Sequence, residues 1–223
     1  MRHSGASLWP PDLLRQGARE VGVCLDSNQI EAFSLYAQEL LRWNRHMNLT
    51  ALREVKEVMI KHFLGSLAFL AAFPRELALE LVDIGSGAGF PGIPIQIACP
   101  QLSITLIEAS RKKVSFLRHI CALLELRGIE CVRARAEDLA IDPRFGGRFD
   151  AALGRAVGKR QALLEVAAPL LRRSGSLILS GKEEEEEEEN FPETPLLRFR
   201  ETLRVRFPSL DFERKLLVWE RRR

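Results

Sequence analysis

Residues 79–114 read LELVDIGSGAGFPGIPIQIACPQLSITLIEASRKKV, and the order of residue types in them decides the fold. Leu79 to Ile84 is an apolar run with an acid, Asp83, near its end. Four glycines follow, Gly85, Gly87, Gly89 and Gly92, and a second apolar run, Ser103 to Ile107, ends in another acid, Glu108. The pattern is strand, glycine turn, helix, strand, acid. Glycine lets backbone approach a ligand with no Cβ between them, a following helix offers free N–H groups, and a carboxylate ending the next strand can accept two ribose hydroxyls. The stretch reads as an adenosine-cofactor site.

The chain around it has 223 residues, enough for one well-cored α/β domain with an extension and too few for two large ones. A hydrophobic share of 46% with 28% charged residues is that of a soluble globular protein. The opening MRHSGASLWPPDLL lacks the apolar centre of a leader peptide, and no apolar run nears the ~20 residues of a membrane span, so a cytoplasmic protein without membrane contact is expected. Cys24, Cys99, Cys121 and Cys131 have neither CxxC nor Cys/His ligand spacing, which predicts reduced, buried thiols and no metal. The net charge of +3 hides an asymmetry. Glu183 to Glu189 is a run of seven acids, and setting it aside leaves 23 acids against 33 basic residues, an excess of ten. A body that basic suits a polyanionic partner.

Residues 1–10 show no periodicity and are expected to form a flexible arm. Residues 11–75 read as an N-terminal helical cap. One helix runs from Pro11 to Gly22, a second is capped by Asp26 or Ser27 and stops near Trp43-Asn44, and a third spans Glu54 to Phe73 and ends at Pro74. Residues 76–223 continue the alternation opened by the glycine stretch, with Arg111–Leu126 helical, Ile129–Ala134 and Phe149–Leu153 strands, Gln161–Arg172 a helix and Ser176–Leu179 a strand. Residues 183–190 are expected to form an acidic loop. Leu197–Phe207 and Leu216–Glu220 then read as an antiparallel pair joined through Pro208 to Asp211. The expectation is an α/β fold with five parallel strands and a terminal pair, seven in all.

The glycines alone fit two cofactors. Gly87 to Gly92 satisfies GxGxxG with Glu108 about 20 residues on, as a nicotinamide-binding fold would have it. One step earlier, Gly85-Ser86-Gly87-Ala88-Gly89 is the GxGxG of S-adenosylmethionine-dependent methyltransferases, preceded by Asp83. The roughly 145 residues from Leu79 onward fit one seven-stranded sheet and leave no room for a separate substrate domain, and a dinucleotide fold lacks the terminal strand pair. Architecture therefore favours a class I, Rossmann-like methyltransferase using S-adenosyl-L-methionine.

Six segments, WNRHMNLTA, KHFLGSL, VDIGSGAGFPGIPIQIACP, LIEASRKKVSFL, RAEDL and GRA, match in order and spacing a family that this chain closely resembles, the RsmG (GidB) small-subunit ribosomal RNA guanine-N7 methyltransferases. The resemblance runs from Ile30 to Gly181, about two-thirds of the chain. It implies that Gly85 and Phe90 lie at the cofactor, that Gly87 and Gly89 shape the turn, that Glu108 holds the ribose, that Ala136 and Glu137 flank the adenine, and that Arg155 sits between cofactor and substrate. It also implies small-subunit ribosomal RNA, naked or in a ribonucleoprotein, as partner, and a monomer. Two positions depart from the family pattern: Gly65 stands where an Asp is usual before the serine, and Ser180 where a Lys is usual before the glycine. Both are expected on the RNA side.

Guanine N7 has a free lone pair and no proton to lose, so no general base is required and the absence of a catalytic dyad is consistent. Because A-form RNA buries N7 in a deep, narrow groove, the target is expected in a loop, junction or open assembly intermediate. Candidate RNA contacts are Asn48, His62, Arg111, Lys112, Lys113, Arg118, Lys159 and Arg160; the plainer readings are a turn for Asn48, a satisfied helix histidine for His62 and a solvated first turn for the lysines. Arg221 to Arg223 is an RNA grip or a charged tail. The rival functions are a methyltransferase on another RNA or a small molecule, and a non-catalytic RNA-binding assembly protein that keeps the fold.

Overall fold

The computed structural model describes residues 10–74, 78–155, 160–181 and 191–222. Seven strands form one sheet in the order β3-β2-β1-β4-β5-β7-β6. They are β1 (Glu80–Ile84), β2 (Ser103–Ile107), β3 (Ile129–Val132), β4 (Phe149–Gly154), β5 (Leu171–Ser180), β6 (Leu197–Phe207) and β7 (Phe212–Arg221). The first five are mutually parallel, and β7 runs antiparallel to both β5 and β6. Strand direction thus reverses at β7, as the short Pro208–Leu210 link demands.

Alternation along the strands sends side chains to two buried layers. Leu81, Leu106, Leu153, Ile178, Leu216 and Val218 face the layer built with the N-terminal helices. Val82, Ile107, Ala152, Leu177, Leu217 and Trp219 face the other, covered by α7 (Ala136–Ala140) and α8 (Arg160–Leu170). On the first layer lie α1 (Pro11–Glu20), α2 (Ser27–Met47), α5 (Gly92–Ala98) and α6 (Arg111–Leu123), together with a composite helical segment between α2 and β1.

That segment departs from expectation. One α-helical turn, α3 (Val55–Glu57), passes into a π-helical stretch, Val58–Leu64, then one more α-helical turn, α4 (Gly65–Leu67), and a 3₁₀ turn, Ala68–Ala72. The apolar spacing showed a helix, but a change of helical type leaves no signature in that spacing. The second helix does not stop at Trp43-Asn44 either. It continues to Met47, because the Asn44 side chain ties the following loop instead of ending the helix: its amide donates to Thr50 O (2.9 Å) and accepts from Thr50 N (3.0 Å). Asn48 closes α2 in the left-handed region, φ 49°.

Other boundaries shift for local reasons. The helix expected to reach Arg172 ends at Leu170, after Pro169, and Leu171 already pairs with Phe149 in the sheet. The strand expected to reach Ala134 ends at Val132, and the five-residue α7, too short to show a period, follows it. The last strand begins at Phe212, four residues before the apolar run that signalled it. Cys24 is exposed, not buried; Cys99 and Cys121 are buried, Cys131 half-buried, and all four are free thiols. Among the described residues no helix is long and apolar enough to cross a membrane, and no three His, Cys, Asp or Glu converge on a metal position. The expected arm, the acidic run Glu183 to Glu189 and Lys159 lie outside the described residues.

Candidate active site

The glycine turn joins β1 to α5 at the carboxyl end of the parallel strands, where ligands of open α/β sheets collect. The four glycines divide by what a Cβ would meet. At Gly85 (φ 71°) nothing lies within 4 Å, and at Gly87 (φ 59°) the nearest atom is Gly85 O at 3.9 Å. Those two leave an open face. A Cβ on Gly89 would collide with Ile93 Cδ1 and lie 2.8 Å from the Tyr36 hydroxyl, and one on Gly92 would collide with Leu106 Cδ2. Gly89 and Gly92 serve packing, while the space beside Gly85 and Gly87 is open.

Two carboxylates organise the turn. Glu108, at the end of β2, accepts from Gly87 N through Oε2 (3.0 Å) and from Ser110 N through Oε1 (2.8 Å), so it is oriented before any ribose arrives and each oxygen keeps a lone pair to spare. Asp83 is fully buried; its Oδ2 accepts from Gly92 N at 2.9 Å, and its Oδ1 has no hydrogen-bond partner. Burial pushes its pKa up to about 7, against the opposing pull of the Gly92 N–H and of Arg155. An open face at Gly85 and Gly87, an oriented carboxylate at Glu108 and an orphaned buried oxygen on Asp83 fit an adenosine cofactor whose other end carries positive charge.

Beside the turn stands a stacked layer. The Phe90 ring lies 4.4 Å from the His62 ring and 5.5 Å from that of Tyr36, with the Arg155 guanidinium 5.6 Å from its centre. Arg155, just past β4, donates through Nη1 to His62 O (3.2 Å) and Ser66 Oγ (3.1 Å), and through Nη2 to Lys61 O (3.0 Å) and His62 Nδ1 (3.1 Å). A guanidinium can only donate, so His62 Nδ1 is an acceptor. The ring proton is therefore on Nε2, which donates to Thr50 Oγ1 at 2.6 Å. Burial foremost, then Arg155, Arg214 and Lys61, pushes the His62 pKa down to about 3, and burial with Arg214 lowers that of Arg155 to about 9. His62 is a neutral, stacked ring with both nitrogens in use.

The structure brings Asp83, Gly85, Gly87, Gly89, Phe90, Glu108, Arg155 and His62 into this one region. Arg111 and Lys112 are exposed and Lys113 half-buried on the first turn of α6, directly after Ser110 and hence beside Glu108, while Arg118 is exposed farther along the helix. Ala136 and Glu137 open α7 just beyond β3, Glu137 being exposed. Arg160 starts α8 with its guanidinium 5.4 Å from the centre of the Phe191 ring. Asn48 is exposed at the end of α2; the neighbour that reaches the site is Thr50. Gly65 is buried, not on an open RNA side, and Ser180 is half-buried; both meet Arg214, whose Nη2 would lie 2.7 Å from a Cβ at Gly65 and whose Nη1 donates to Ser180 Oγ at 3.2 Å.

Sequence reasoning missed Tyr36, Thr50, Ser66 and Arg214. Tyr36, the only tyrosine, is fully buried and donates its hydroxyl to Ala88 O inside the glycine turn at 2.5 Å. The signal for Arg214 was a pair of charges, Arg214-Lys215, entering the apolar run Leu216 to Trp219 with no change of strand.

Solved structures with this fold include TrmN from Thermus thermophilus (18% identity, TM-score 0.54, covering 73% of this chain and 53% of that one) and a SAM-dependent methyltransferase from Aquifex aeolicus (13% identity, TM-score 0.52, covering 70% and 88%). Among curated relatives, proteins named Ribosomal RNA small subunit methyltransferase G are 40% identical over 210 residues in Caldanaerobacter subterraneus (93% of this chain, 88% of that one) and 35% identical over 209 residues in Acetivibrio thermocellus (92% and 86%). The GidB family model, described as rRNA small subunit methyltransferase G, matches residues 29–217. The chain thus belongs to the GidB family of S-adenosylmethionine-dependent methyltransferases.

Proposed function

We propose that this protein transfers a methyl group from S-adenosylmethionine to N7 of one guanine in small-subunit ribosomal RNA. The observation that carries the reading is the chemistry of the stacked layer next to the cofactor turn: it holds the rings of His62, Phe90 and Tyr36 and the guanidinium of Arg155, and no group free to take a proton. His62 has both nitrogens engaged and stays neutral, so it cannot accept a proton at physiological pH. A target that must lose a proton, such as a ribose hydroxyl, would be poorly served here, whereas N7 attacks through an existing lone pair and releases none. When bound, the cofactor supplies an electrophilic methyl on its sulfonium.

The remaining work is placement. Glu108 and the open Gly85-Gly87 backbone hold the adenosine end, with Ala136 and Glu137 beside the adenine. Arg155 keeps His62 and Phe90 at fixed height against the turn, and enclosure by this layer excludes water while in-line geometry supplies effective molarity. Arg111, Lys112, Lys113 and Arg118 form one bank of phosphate contacts, and Arg160, at the start of α8, is a further one. The protein acts as a cytoplasmic monomer. Incubation with labelled S-adenosylmethionine and small subunits from a strain lacking the activity, followed by mapping of N7-methylguanosine, tests this. Label in a single guanine supports the proposal; label on another atom, or only on small molecules, overturns it, and S-adenosylhomocysteine binding without any transfer points to a non-catalytic assembly protein.

A further inference from the structure

The π-helical stretch Val58–Leu64 carries His62 over Phe90, and the carbonyls of Lys61 and His62 meet side-chain donors. The carbonyl of Lys61 accepts from two guanidiniums: Arg155 Nη2 at 3.0 Å, from the end of β4, and Arg214 Nη2 at 3.1 Å, from β7. Arg214 is 8% exposed, and its guanidinium occupies the space that a side chain at residue 65 would take. On the far side its Nη1 donates to Ser180 Oγ at the end of β5. The guanidinium therefore bridges the reversed strand of the sheet to the turn that bears the stacked histidine.

We propose that Arg214 is a positioning residue for methyl transfer, holding the Lys61 carbonyl so that His62 and Phe90 keep the target side of the site at the correct height, with Gly65 as the gap that lets it in. The role rests on the reading of the site as one for RNA methylation, and the hydrogen bonds that carry it go to Lys61 and Ser180. The charged groups facing His62 are Arg155 from β4, Arg214 from β7 and Lys61 from its own turn; Thr50, after α2, contributes a neutral hydroxyl.

Two substitutions approach the contact from opposite sides. Arg214→Met removes the donor. Gly65→Ala sits at φ −62° and ψ −21°, where alanine is a better helix former than glycine, yet its Cβ displaces Nη2. With full-length protein, kcat on small subunits is expected to fall about 10- to 100-fold in Arg214→Met and in the same direction in Gly65→Ala, as a displacement on the order of 1 Å would give. Binding of S-adenosylhomocysteine should stay within about twofold of the parent, since the Gly85–Glu108 end is untouched. Arg214→Lys, which retains one donor, should recover most of the rate. The double variant should be no slower than Arg214→Met alone, because both act through one contact. The His62 ring, followed by proton NMR, should titrate at higher pH in Arg214→Met than in the parent.

Parent-like kcat in Gly65→Ala and Arg214→Met, additive effects in the double variant, or cofactor affinity falling in step with kcat would each overturn the proposal. Failure of the parent itself to methylate ribosomal RNA would instead overturn the functional reading, and the NMR titration would still decide whether Arg214 acts on His62.

Discussion

At the scale of single residues, the glycines and acids of the cofactor turn separate ligand binding from folding. Gly85→Ala adds a Cβ into open space; it costs the fold only the roughly 1–2 kcal/mol of a left-handed alanine but closes the face proposed to receive the cofactor. Gly92→Ala instead drives a Cβ into Leu106 and costs about 1–3 kcal/mol of stability. Urea denaturation paired with S-adenosylhomocysteine calorimetry should show the first variant folded and weak in binding, the second destabilised. Glu108→Ala should lose about 1.5–3 kcal/mol of binding, roughly 10- to 100-fold, with the fold intact. Two titrations oppose each other. His62, depressed to about 3, makes the unfolded chain hold the extra proton between that pH and its ordinary 6.5, so its stabilising contribution is complete above 6.5 and is lost as pH falls. Asp83, raised from 3.8 to about 7, makes the folded chain hold the extra proton in that window, so its contribution is lost as pH rises. Asp83→Asn keeps an acceptor for Gly92 N and removes the second slope. Its stability relative to the parent should rise between pH 5 and pH 7 by up to about 1.4 kcal/mol per pH unit, measured by urea denaturation at the two values. The acids and glycines were legible in the sequence because their chemistry is local. The tautomer of His62 was not, since Thr50 and Arg155 fix it from 12 and 93 residues away.

At the scale of elements, the first layer of helices acts as a brace for the turn. Tyr36, in the middle of α2, donates to Ala88 O and stacks on Phe63 (5.2 Å) and Phe90 (5.5 Å). Tyr36→Phe keeps the ring and leaves that buried carbonyl without its donor, so it should cost about 1–3 kcal/mol in urea denaturation and loosen S-adenosylhomocysteine binding, because the same carbonyl lies inside the glycine turn. The strands were readable from alternation and the long helices from period, as with β2, whose bounds Ser103–Ile107 appear in the residue pattern itself. The π-helical stretch was not readable: its apolar positions suit any helix, and the donors that meet its carbonyls, Arg155 just past β4 and Arg214 on β7, lie far along the chain. Likewise β7 extends to Phe212 because residues 212–215 pair with β6, although Glu213, Arg214 and Lys215 look like a strand's end.

At the scale of the whole molecule, the exposed cations of a basic body include Arg111 and Lys112 on the first turn of α6, beside Glu108, and Arg118 farther along that helix. Replacing Arg111 or Lys112 by Ala should weaken ribosomal RNA binding and lower the slope of log affinity against log salt by about 1 for each phosphate that the variant no longer neutralises, measured by filter binding across a salt series. Unchanged slopes in both would remove this bank from the interface. The sequence by itself determined the seven-stranded α/β sheet, through periodicity, and the class of cofactor, through the glycine-acid spacing of residues 79–114 together with what fits in the chain after it, while the family came from the resemblance of six segments spread between Ile30 and Gly181. Only the tertiary structure decided how the target side is held. His62, Phe90, Arg155, Gly65 and Arg214 come from four separate parts of the chain, and a hydrogen bond between a side chain and a distant carbonyl leaves no period, spacing or composition for the sequence to display.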